Sequence, residues 1–415
     1  MKITNLAIKA LMVGAITSSL FGGESLSDAL RNGTFKGELK AIAYDVDKAA
    51  KGEESIITIG VMLNYVSSDF YGFSIGLRGQ SSNSPWADDA EKNFYKADLY
   101  GPGAVLEEAY VKYGYSKSYV KAGRQFIKTP LLSGSGARMI HESFEGYTLN
   151  VGDIKDTKIF AGYVDKYLTR TNFLDSTDIS VGTFGKHIFM YGKKYAYKMG
   201  DGVWTIFAQN RSIKNLTLQG QYLVVKDAVV SSTGAAVGDI SVSFLQAEYK
   251  FRLRDLKMKA GVQYGASDID NDTSRSGDLV GFKLSTKCKK AVLDVGYTIN
   301  SSDKAMVSGV GIASNWAYAG DLIGLENYNQ DIDTLSLTLK YKPVPNSLLL
   351  ARYTDYMAGS NATLNGGNDL NAYDLVAKYG FKGKFKGLGV KLMYENVDFD
   401  SGAIINYRMY LTYKF

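Results

Sequence analysis

The last ten residues of the chain, NYRMYLTYKF (406–415), alternate between two kinds of side chain. The odd positions from Tyr407 to Phe415 are all apolar or aromatic, and the even positions are polar apart from Tyr410. Successive side chains of a β-strand point to opposite faces of the sheet. The stretch therefore predicts a strand with one face against apolar material and the other against water.

The same two-residue period recurs along the whole chain. Near the N-terminus, for example, Ile57, Ile59 and Val61 alternate with polar or small residues. Segments of about ten residues suit a tilted strand that crosses a hydrocarbon layer. We predict eighteen strands, at residues 34–45, 55–66, 70–80, 105–115, 118–126, 144–152, 157–165, 203–210, 215–226, 240–253, 256–266, 278–287, 290–299, 332–342, 346–356, 371–381, 388–397 and 404–415.

The connections between these segments alternate in length. Short ones such as 116–117 and 254–255 are followed by longer ones such as 127–143 and 166–202. Short periplasmic turns and long outer loops are the rule for bacterial outer-membrane barrels, and an even strand number places both termini on the periplasmic side. Residues 185–198 leave room for one more hairpin, so we accept a count of roughly 16 to 20 strands.

Composition supports an all-β transmembrane antiparallel barrel. The 415 residues include 30 Tyr and 44 Gly but only 5 Pro, a balance that suits strands, aromatic girdles and tight turns. Residues 24–415 contain no apolar run of about 18 residues, the length that a membrane-spanning helix needs. A soluble protein of two packed sheets is the alternative, and the one-sided distribution of long loops disfavours it.

The first residues are typical of an export signal. Met1–Lys9 carries two lysines and no acid, and the apolar stretch 10–22 is followed by small and then polar residues. This order matches a secretory signal peptide. We therefore predict a signal peptide at residues 1–23 and a barrel domain at residues 24–415.

A barrel of 16 to 18 strands leaves an aqueous channel, whereas about eight strands fill their interior with side chains. The predicted inward face carries charges of both signs, which are costly on a face that meets lipid. Cations outnumber acids in this set, and an excess of cations would attract anions. The members are Lys36, Glu38, Lys40, Glu108, Lys112, Lys121, Lys158, Lys257, Lys259, Asp294, Glu395 and Arg408.

One stretch departs from the alternation and resembles a known family. Gly123-Arg124-Gln125, Pro130-Leu131, Arg138 and Phe144-Glu145-Gly146 are similar to the OprD-type outer-membrane porins, and most similar to those of ε-proteobacteria. The stretch from Ser25 to Glu38, with Gly33 and Lys36-Gly37-Glu38, also looks like the start of those proteins.

The resemblance implies that the loop near 127–143 folds into the barrel and narrows the pore. The residues that it would carry to the constriction are Arg124, Arg138, His141, Glu142 and Glu145. As pore-lining candidates we name Lys112, Lys121, Lys257, Lys259, Glu395 and Arg408. The family's row of basic side chains corresponds best to Arg124 and Arg138. An ordinary surface loop is the alternative.

The expected function is passive diffusion of small hydrophilic solutes and ions through an outer-membrane porin, with a mild preference for anions. Lipid and lipopolysaccharide are the expected surroundings, and a homotrimer is expected only by analogy with other porins. Two alternatives stay open. Long loops at 81–104, 166–202 and 300–331 would suit an adhesin or structural barrel, and His141 beside Glu142 or Ser143 is the only chemistry for a barrel hydrolase.

Other classes of function find little support in the residues. The chain has only two histidines and one cysteine, Cys288, so we predict no metal centre, cofactor or catalytic site. Asp268, Asp270 and Asp272 resemble the start of a calcium loop, but Thr273 and Leu279 replace its glycine and its bidentate glutamate. The net charge of +6 is spread along the sequence, whereas nucleic-acid binding calls for a clustered basic face.

Overall fold

The computed structural model describes residues 25–49, 52–322 and 327–415, and within them it shows one closed antiparallel sheet of eighteen long strands. Each strand pairs with the next, and the last strand pairs with the first from Glu38–Lys414 to Lys48–Ile404. The predicted signal peptide lies outside the described residues. The strands, numbered in chain order, are β1 Thr34–Lys48, β2 Gly52–Val66, β3 Phe73–Ser82, β4 Gly103–Tyr115, β5 Ser118–Gln125, β6 Phe144–Val151, β7 Thr157–Leu168, β8 Val203–Asn210, β9 Leu216–Val230, β10 Ala236–Leu253, β11 Leu256–Ile269, β12 Asp278–Cys288, β13 Ala291–Asn300, β14 Ile332–Tyr341, β15 Ser347–Ala358, β16 Leu370–Gly380, β17 Leu388–Phe399 and β18 Gly402–Lys414.

The alternation of β18 has the predicted consequence. Tyr407, Met409 and Leu411 are exposed on the outer wall, whereas Arg408 and Tyr410 are buried in the lumen. The same division holds around the ring, so that the outward face is an apolar belt and the inward face is largely polar. The fold class, an antiparallel transmembrane barrel with 18 strands, is confirmed.

The connections differ from the prediction at the outer rim. The outer connections 231–235 and 400–401 are tight, because their strands run further than the sequence pattern indicated, and β1 and β2 also extend beyond their predicted outer ends. Beyond the hydrocarbon layer both faces of a strand meet water, so the apolar period disappears while the hydrogen-bonded ladder continues. The inner turns are short as expected.

Smaller elements fill the remaining connections. Helices α1 Leu26–Arg31 and α2 Asp89–Tyr95 lie near the inner rim and in an outer loop, and the 3-10 turns are Thr273–Arg275, Leu364–Gly367 and Gly383–Phe385. The short strands Phe184–Gly185, His187–Met190 and Lys194–Lys198 belong to the loop after β7. The last two form the suspected hairpin, which extends the loop and does not add a strand to the wall.

Candidate functional site

The loop of residues 126–143 leaves β5 at the outer rim and crosses the lumen. Its Leu131 N–H donates to Gln221 Oε1 of β9 at 2.8 Å, and its His141 N–H donates to Gln80 Oε1 of β3 at 3.0 Å. Lys40 of β1 donates to the carbonyl of Arg138 at 3.1 Å. Because one loop is anchored to strands far apart on the ring, it spans the channel, as the sequence led us to expect.

Close approach to the wall requires small residues there. A Cβ added to Gly60 of β2 would lie 2.7 Å from the Cε of Met139, so the loop seats against bare backbone at this point. Leu131 and Leu132 are fully buried. The apolar side chains thus hold the loop inside the barrel, since exposing them would cost roughly 1.5–3 kcal/mol each.

A second loop, in its described residues 305–321, also enters the lumen, which was not predicted from the sequence. Val310 pairs with Leu132 in a parallel bridge, and Trp316 packs against Phe244 of β10 with ring centroids 5.3 Å apart. Wall glycines make room for it: a Cβ at Gly265 of β11 would overlap the indole of Trp316. The expectation that this segment is an outer loop free for surface partners is therefore wrong for its described residues from 305 to 321.

The signal for this inward loop was present but weak. Residues 305–313, AMVSGVGIA, are small and apolar, which is unusual for a water-exposed loop. The facing lumen positions Gly261, Gly265 and Gly296 interrupt otherwise polar rows. Neither feature shows alone which loop fills which groove, because that depends on strands distant in sequence.

Four charged side chains from three loops meet in the outer half of the lumen. Arg138 Nε lies 2.8 Å from Asp98 Oδ2, and Arg170 Nη1 contacts the other oxygen of the same carboxylate. Arg170 Nε also lies 3.5 Å from Glu142 Oε1. We call Asp98, Arg138, Glu142 and Arg170 the loop charge cluster; their formal charges sum to zero.

Burial and charge act in opposite directions within this cluster. Burial alone would raise the pKa of Asp98, but the guanidinium groups of Arg138 and Arg170 hold that pKa well below its usual range. For Glu142 burial prevails and the pKa is raised, although Arg170 and the backbone N–H groups of Ser135 and Ile312 oppose the shift.

The loop charge cluster faces the wall formed by β1, β17 and β18. Arg138 Nη1 donates to Tyr410 Oη at 3.2 Å, and its guanidinium lies 5.3 Å from the ring centroid of Tyr44. The guanidinium of Arg408 lies 4.2 Å from the same ring centroid and also donates to the hydroxyl of Tyr44. Glu395 accepts from Asn406 Nδ2 at 3.0 Å. Two arginines, one from a loop and one from the wall, therefore contact a single tyrosine.

A cavity of about 760 Å³ opens beside this contact. Asp98 and Arg138 from the loops and Glu395 and Arg408 from the wall are among its lining residues. On the opposite side of the lumen, the two inward loops pack against β7–β12 in a continuous apolar cluster. The cavity lies on the side of β1, β17 and β18, and we call it the free passage.

His141 lies beside cations rather than beside a nucleophile. Its Nε2 is 3.4 Å from Lys40 Nζ, and burial together with the charges of Lys40 and Arg78 lowers its pKa to about 3. The hydroxyl of Ser143 donates to the carbonyl of Glu107 at 2.9 Å. The histidine and the serine are thus engaged with different partners, an arrangement that does not resemble a hydrolytic pair.

The pore-lining candidates all project from the inward face. Lys112 lies over the ring of Tyr119 at 5.0 Å and Lys121 over that of Tyr110 at 4.0 Å. Lys257 and Lys259 face inward on β11, where Lys259 Nζ is 2.7 Å from Glu248 Oε1. Glu395 and Arg408 lie at the cavity described above. Because these side chains face the lumen, we propose that their charges act on permeating ions.

Two of the constriction candidates lie elsewhere, which corrects the sequence analysis. Arg124 and Glu145 are register partners on β5 and β6, on the same face as Tyr147, which is exposed on the outer wall. Arg124 Nε is 2.9 Å from Glu145 Oε2, and Lys166 Nζ is 2.6 Å from the other oxygen. Strand parity turns these side chains away from the lumen, because the ladder continues regularly to the end of β5. Arg138, His141 and Glu142 are brought together inside the barrel.

Other features of the described residues bear on binding. None of the helices there is long and apolar enough to cross a bilayer. No set of three or more His, Cys, Asp or Glu side chains in that part of the chain is arranged to hold a metal ion. In the calcium-like segment, Asp270 accepts from the backbone of Asp239 and Asp272 pairs with Lys193 at 2.7 Å.

Comparison with known proteins gives concordant results for family and fold. Residues 78–415 match the family model described as outer membrane porin, OprD family. No curated protein sequence matches the chain. The fold is similar to the crystal structure of Acinetobacter baumannii OccAB2, with a TM-score of 0.75 and 18% identity over 94% of this chain and 99% of that chain.

Two Pseudomonas aeruginosa structures are similar to the same degree. OccK8 (OprE) has a TM-score of 0.72 and 15% identity, covering 93% of this chain and 99% of that one. OpdK, solved with vanillate, has a TM-score of 0.71 and 16% identity, covering 92% and 98%. With sequence identities this low, the structural similarity shows a shared barrel fold.

Proposed function

The chain belongs to the OprD family of outer membrane porins, and from this premise we propose that its pore favours small anionic solutes. As a porin it resides in the outer membrane and lets small hydrophilic solutes diffuse through its lumen. The observation that carries the anion preference is that Arg138 and Arg408 both contact Tyr44 and both line the free passage. Guanidinium groups bind carboxylates and phosphates through paired hydrogen bonds.

We further propose that solutes bearing a carboxylate are the preferred class. The similar channel OpdK was solved with vanillate, which is itself a carboxylate. In the present chain, Arg408 lines the cavity of the free passage and donates to the hydroxyl of Tyr44. An incoming carboxylate would meet this guanidinium beside an aromatic face. Arg138, His141 and Glu142 position the loop that forms the other side.

Planar bilayer recordings test the proposal directly. Purified protein should give discrete conductance steps, and reversal potentials in a potassium chloride gradient should show the anion as the more permeant ion. Benzoate added to the bath should reduce the chloride current more than benzyl alcohol, which has the same ring but no charge. Absence of conductance steps would contradict the porin function, and preference for the cation would contradict only the selectivity.

The remaining parts of the proposal concern the surroundings of the pore. We propose that residues 1–23 direct export, and that lipopolysaccharide surrounds the apolar belt. The barrel closes within one chain, so each chain forms a complete pore, and a homotrimer would be an assembly of three such pores. We propose no catalytic role for the chain. Cross-linking in native membranes measures the assembly, and conductance per chain measures the pore.

A further inference from the structure

The inner mouth of the lumen contains a concentration of cations that the proposed passage does not use. A cavity of about 1090 Å³ opens there between the inner ends of β10–β14. Ten lysine and arginine residues line it, and among the described residues Asp294 is the one carboxylate in the lining. Asp294 is already engaged, because Lys340 Nζ lies 2.7 Å from its Oδ2.

Strand register places several of these cations directly opposite one another. Arg252 of β10 is the register partner of Lys257 of β11, which in turn is the partner of Lys287 of β12. We call Arg252, Lys257 and Lys287 the basic row. Facing positions on adjacent strands have Cβ atoms roughly 4.5–5.5 Å apart, and like charges at that spacing destabilise a sheet.

Local carboxylates do not relieve this repulsion. In the described part of the chain, no ion pair to a carboxylate is formed by Arg252, Lys257 or Lys287, and each of them is exposed to the lumen or its mouth. A neighbouring strand position shows that the fold can supply such a partner, since Glu248 pairs with Lys259 at 2.7 Å. The basic row therefore keeps an uncompensated charge at a cost in stability.

The charge is also one-sided along the barrel axis. On β11 the inner end carries Lys257 and Lys259, whereas its outer end and the following loop carry Asp268, Asp270 and Asp272, the last of which pairs with Lys193. An anion that reaches the inner mouth is therefore attracted there. Three cations in a line across adjacent strands match a ligand with two or more anionic groups a few ångströms apart.

We propose that the basic row at the inner mouth is a binding site for multivalent anions of the polyphosphate type, which enter from the periplasmic side and obstruct the pore. This proposal rests on the proposed function in one respect, because a ligand reaches the site through the open lumen of the porin. It lies on β10–β12, across the lumen from the arginines of the free passage. Occupancy would regulate conduction without changing the residues at the constriction.

Inorganic triphosphate is the probe for the test, applied to the full-length barrel in a planar bilayer at about 0.1 M salt, where the Debye length is about 10 Å. Cys288, the chain's single cysteine, is exposed at the inner end of β12, so a membrane-impermeant thiol reagent reports which rim faces which bath. The variant is Lys257→Gln with Lys287→Gln. The matched control is Lys382→Gln with Lys384→Gln, two exposed lysines on another inner turn outside the cavity.

Triphosphate added on the inner side should reduce the current at a lower concentration than when it is added on the outer side. The required concentration should rise about tenfold in the double variant, because a unit charge about 4 Å away contributes roughly fivefold to affinity in water and salt screens part of that. The control should behave as the wild type. The double variant should also unfold at a higher denaturant concentration than the wild type, because it removes like-charge repulsion.

Normal potassium chloride conduction without inner-side block would overturn the site and leave the porin function intact. An equal rise of the blocking concentration in the control variant would also overturn the site. That result would mean that block depends on the net charge of the rim and not on the basic row. If the barrel fails to conduct at all, the porin function is contradicted. The site is then judged by phosphorus NMR titration of triphosphate against wild type and double variant in micelles, where equal binding overturns it.

Discussion

Replacing Arg138 by glutamine should make the pore less selective for anions. Arg138 is the residue through which the loop charge cluster reaches the wall, because it contacts both Asp98 and Tyr410. The cluster has a formal charge of zero, and Arg138→Gln changes it to −1. The carboxylate of Asp98 keeps Arg170 as a partner, so the cluster should remain ionised.

The expected magnitude follows from Coulomb's law. A unit charge about 4 Å from a permeating ion changes its energy by about 1 kcal/mol in water, and by more where the lumen is narrow. The change disfavours chloride and favours potassium by this amount each, so the chloride-to-potassium permeability ratio should fall roughly tenfold at 0.1 M salt, where screening removes part of the effect. At 1 M salt the Debye length shrinks to about 3 Å, and most of the difference should disappear.

Reversal potentials across a salt gradient measure the ratio, and heat-modifiable mobility on gels confirms that each variant is folded. Arg138→Lys separates charge from geometry: it keeps the positive charge but loses the planar contact with Asp98 and Tyr44. We expect near-normal selectivity with a noisier current, because the loop is held less firmly. Lys384→Gln, at an exposed inner turn, is the control for a change in net charge.

Two results would refute the reasoning. If Arg138→Gln leaves the permeability ratio unchanged while the control also does, the passage does not run beside this residue. If Arg138→Lys loses selectivity as completely as Arg138→Gln, the effect comes from displacement of the loop and not from the charge.

Three further predictions concern other parts of the barrel. Gly265→Val should push Trp316 out of its seat and enlarge the single-channel conductance, whereas Gly79→Val, where a Cβ meets nothing within 4 Å, should not; equal conductances would contradict the proposed packing. The folded pKa of His141 is lowered to about 3, below an unfolded value of about 6.5, so the unfolded chain binds the extra proton and stability falls as the pH drops between these values. From pH 7 to pH 5 the free energy of unfolding, measured by denaturant titration, should fall by about 2 kcal/mol because of His141. The variant His141→Gln should lack this part of the pH dependence. Arg124→Gln should leave ion selectivity unchanged and cost about 1 kcal/mol, since it breaks a partly exposed pair on the outer wall; a change in reversal potential would indicate that Arg124 faces the lumen.

The wrong prediction for Arg124 shows that a motif can indicate the family without indicating where a side chain points. The stretch around Gly123-Arg124-Gln125 correctly indicated the family, which the match over residues 78–415 shows independently. It did not indicate the direction of the side chain. That direction depends on strand parity, and a shift of one residue in register exchanges the two faces.

The sequence by itself determined the barrel. Alternation at period two, together with connections that alternate in length, is a local property, and each strand shows it independently of the others. All eighteen predicted segments therefore correspond to strands of the wall. The inward course of the loop near 127–143 was implied by the resemblance to the OprD-type porins and not by the alternation.

Only the tertiary structure decided what fills the lumen and which charges meet there. The second inward loop, the contact of Arg138 with Tyr44 and Tyr410, and the basic row of Arg252, Lys257 and Lys287 all join residues from strands or loops that are separate in the chain. Closure of the sheet brings β18 beside β1 and fixes the register that sets these neighbours. A pattern read along one strand contains no information on that register, because hydrogen bonds between strands determine it.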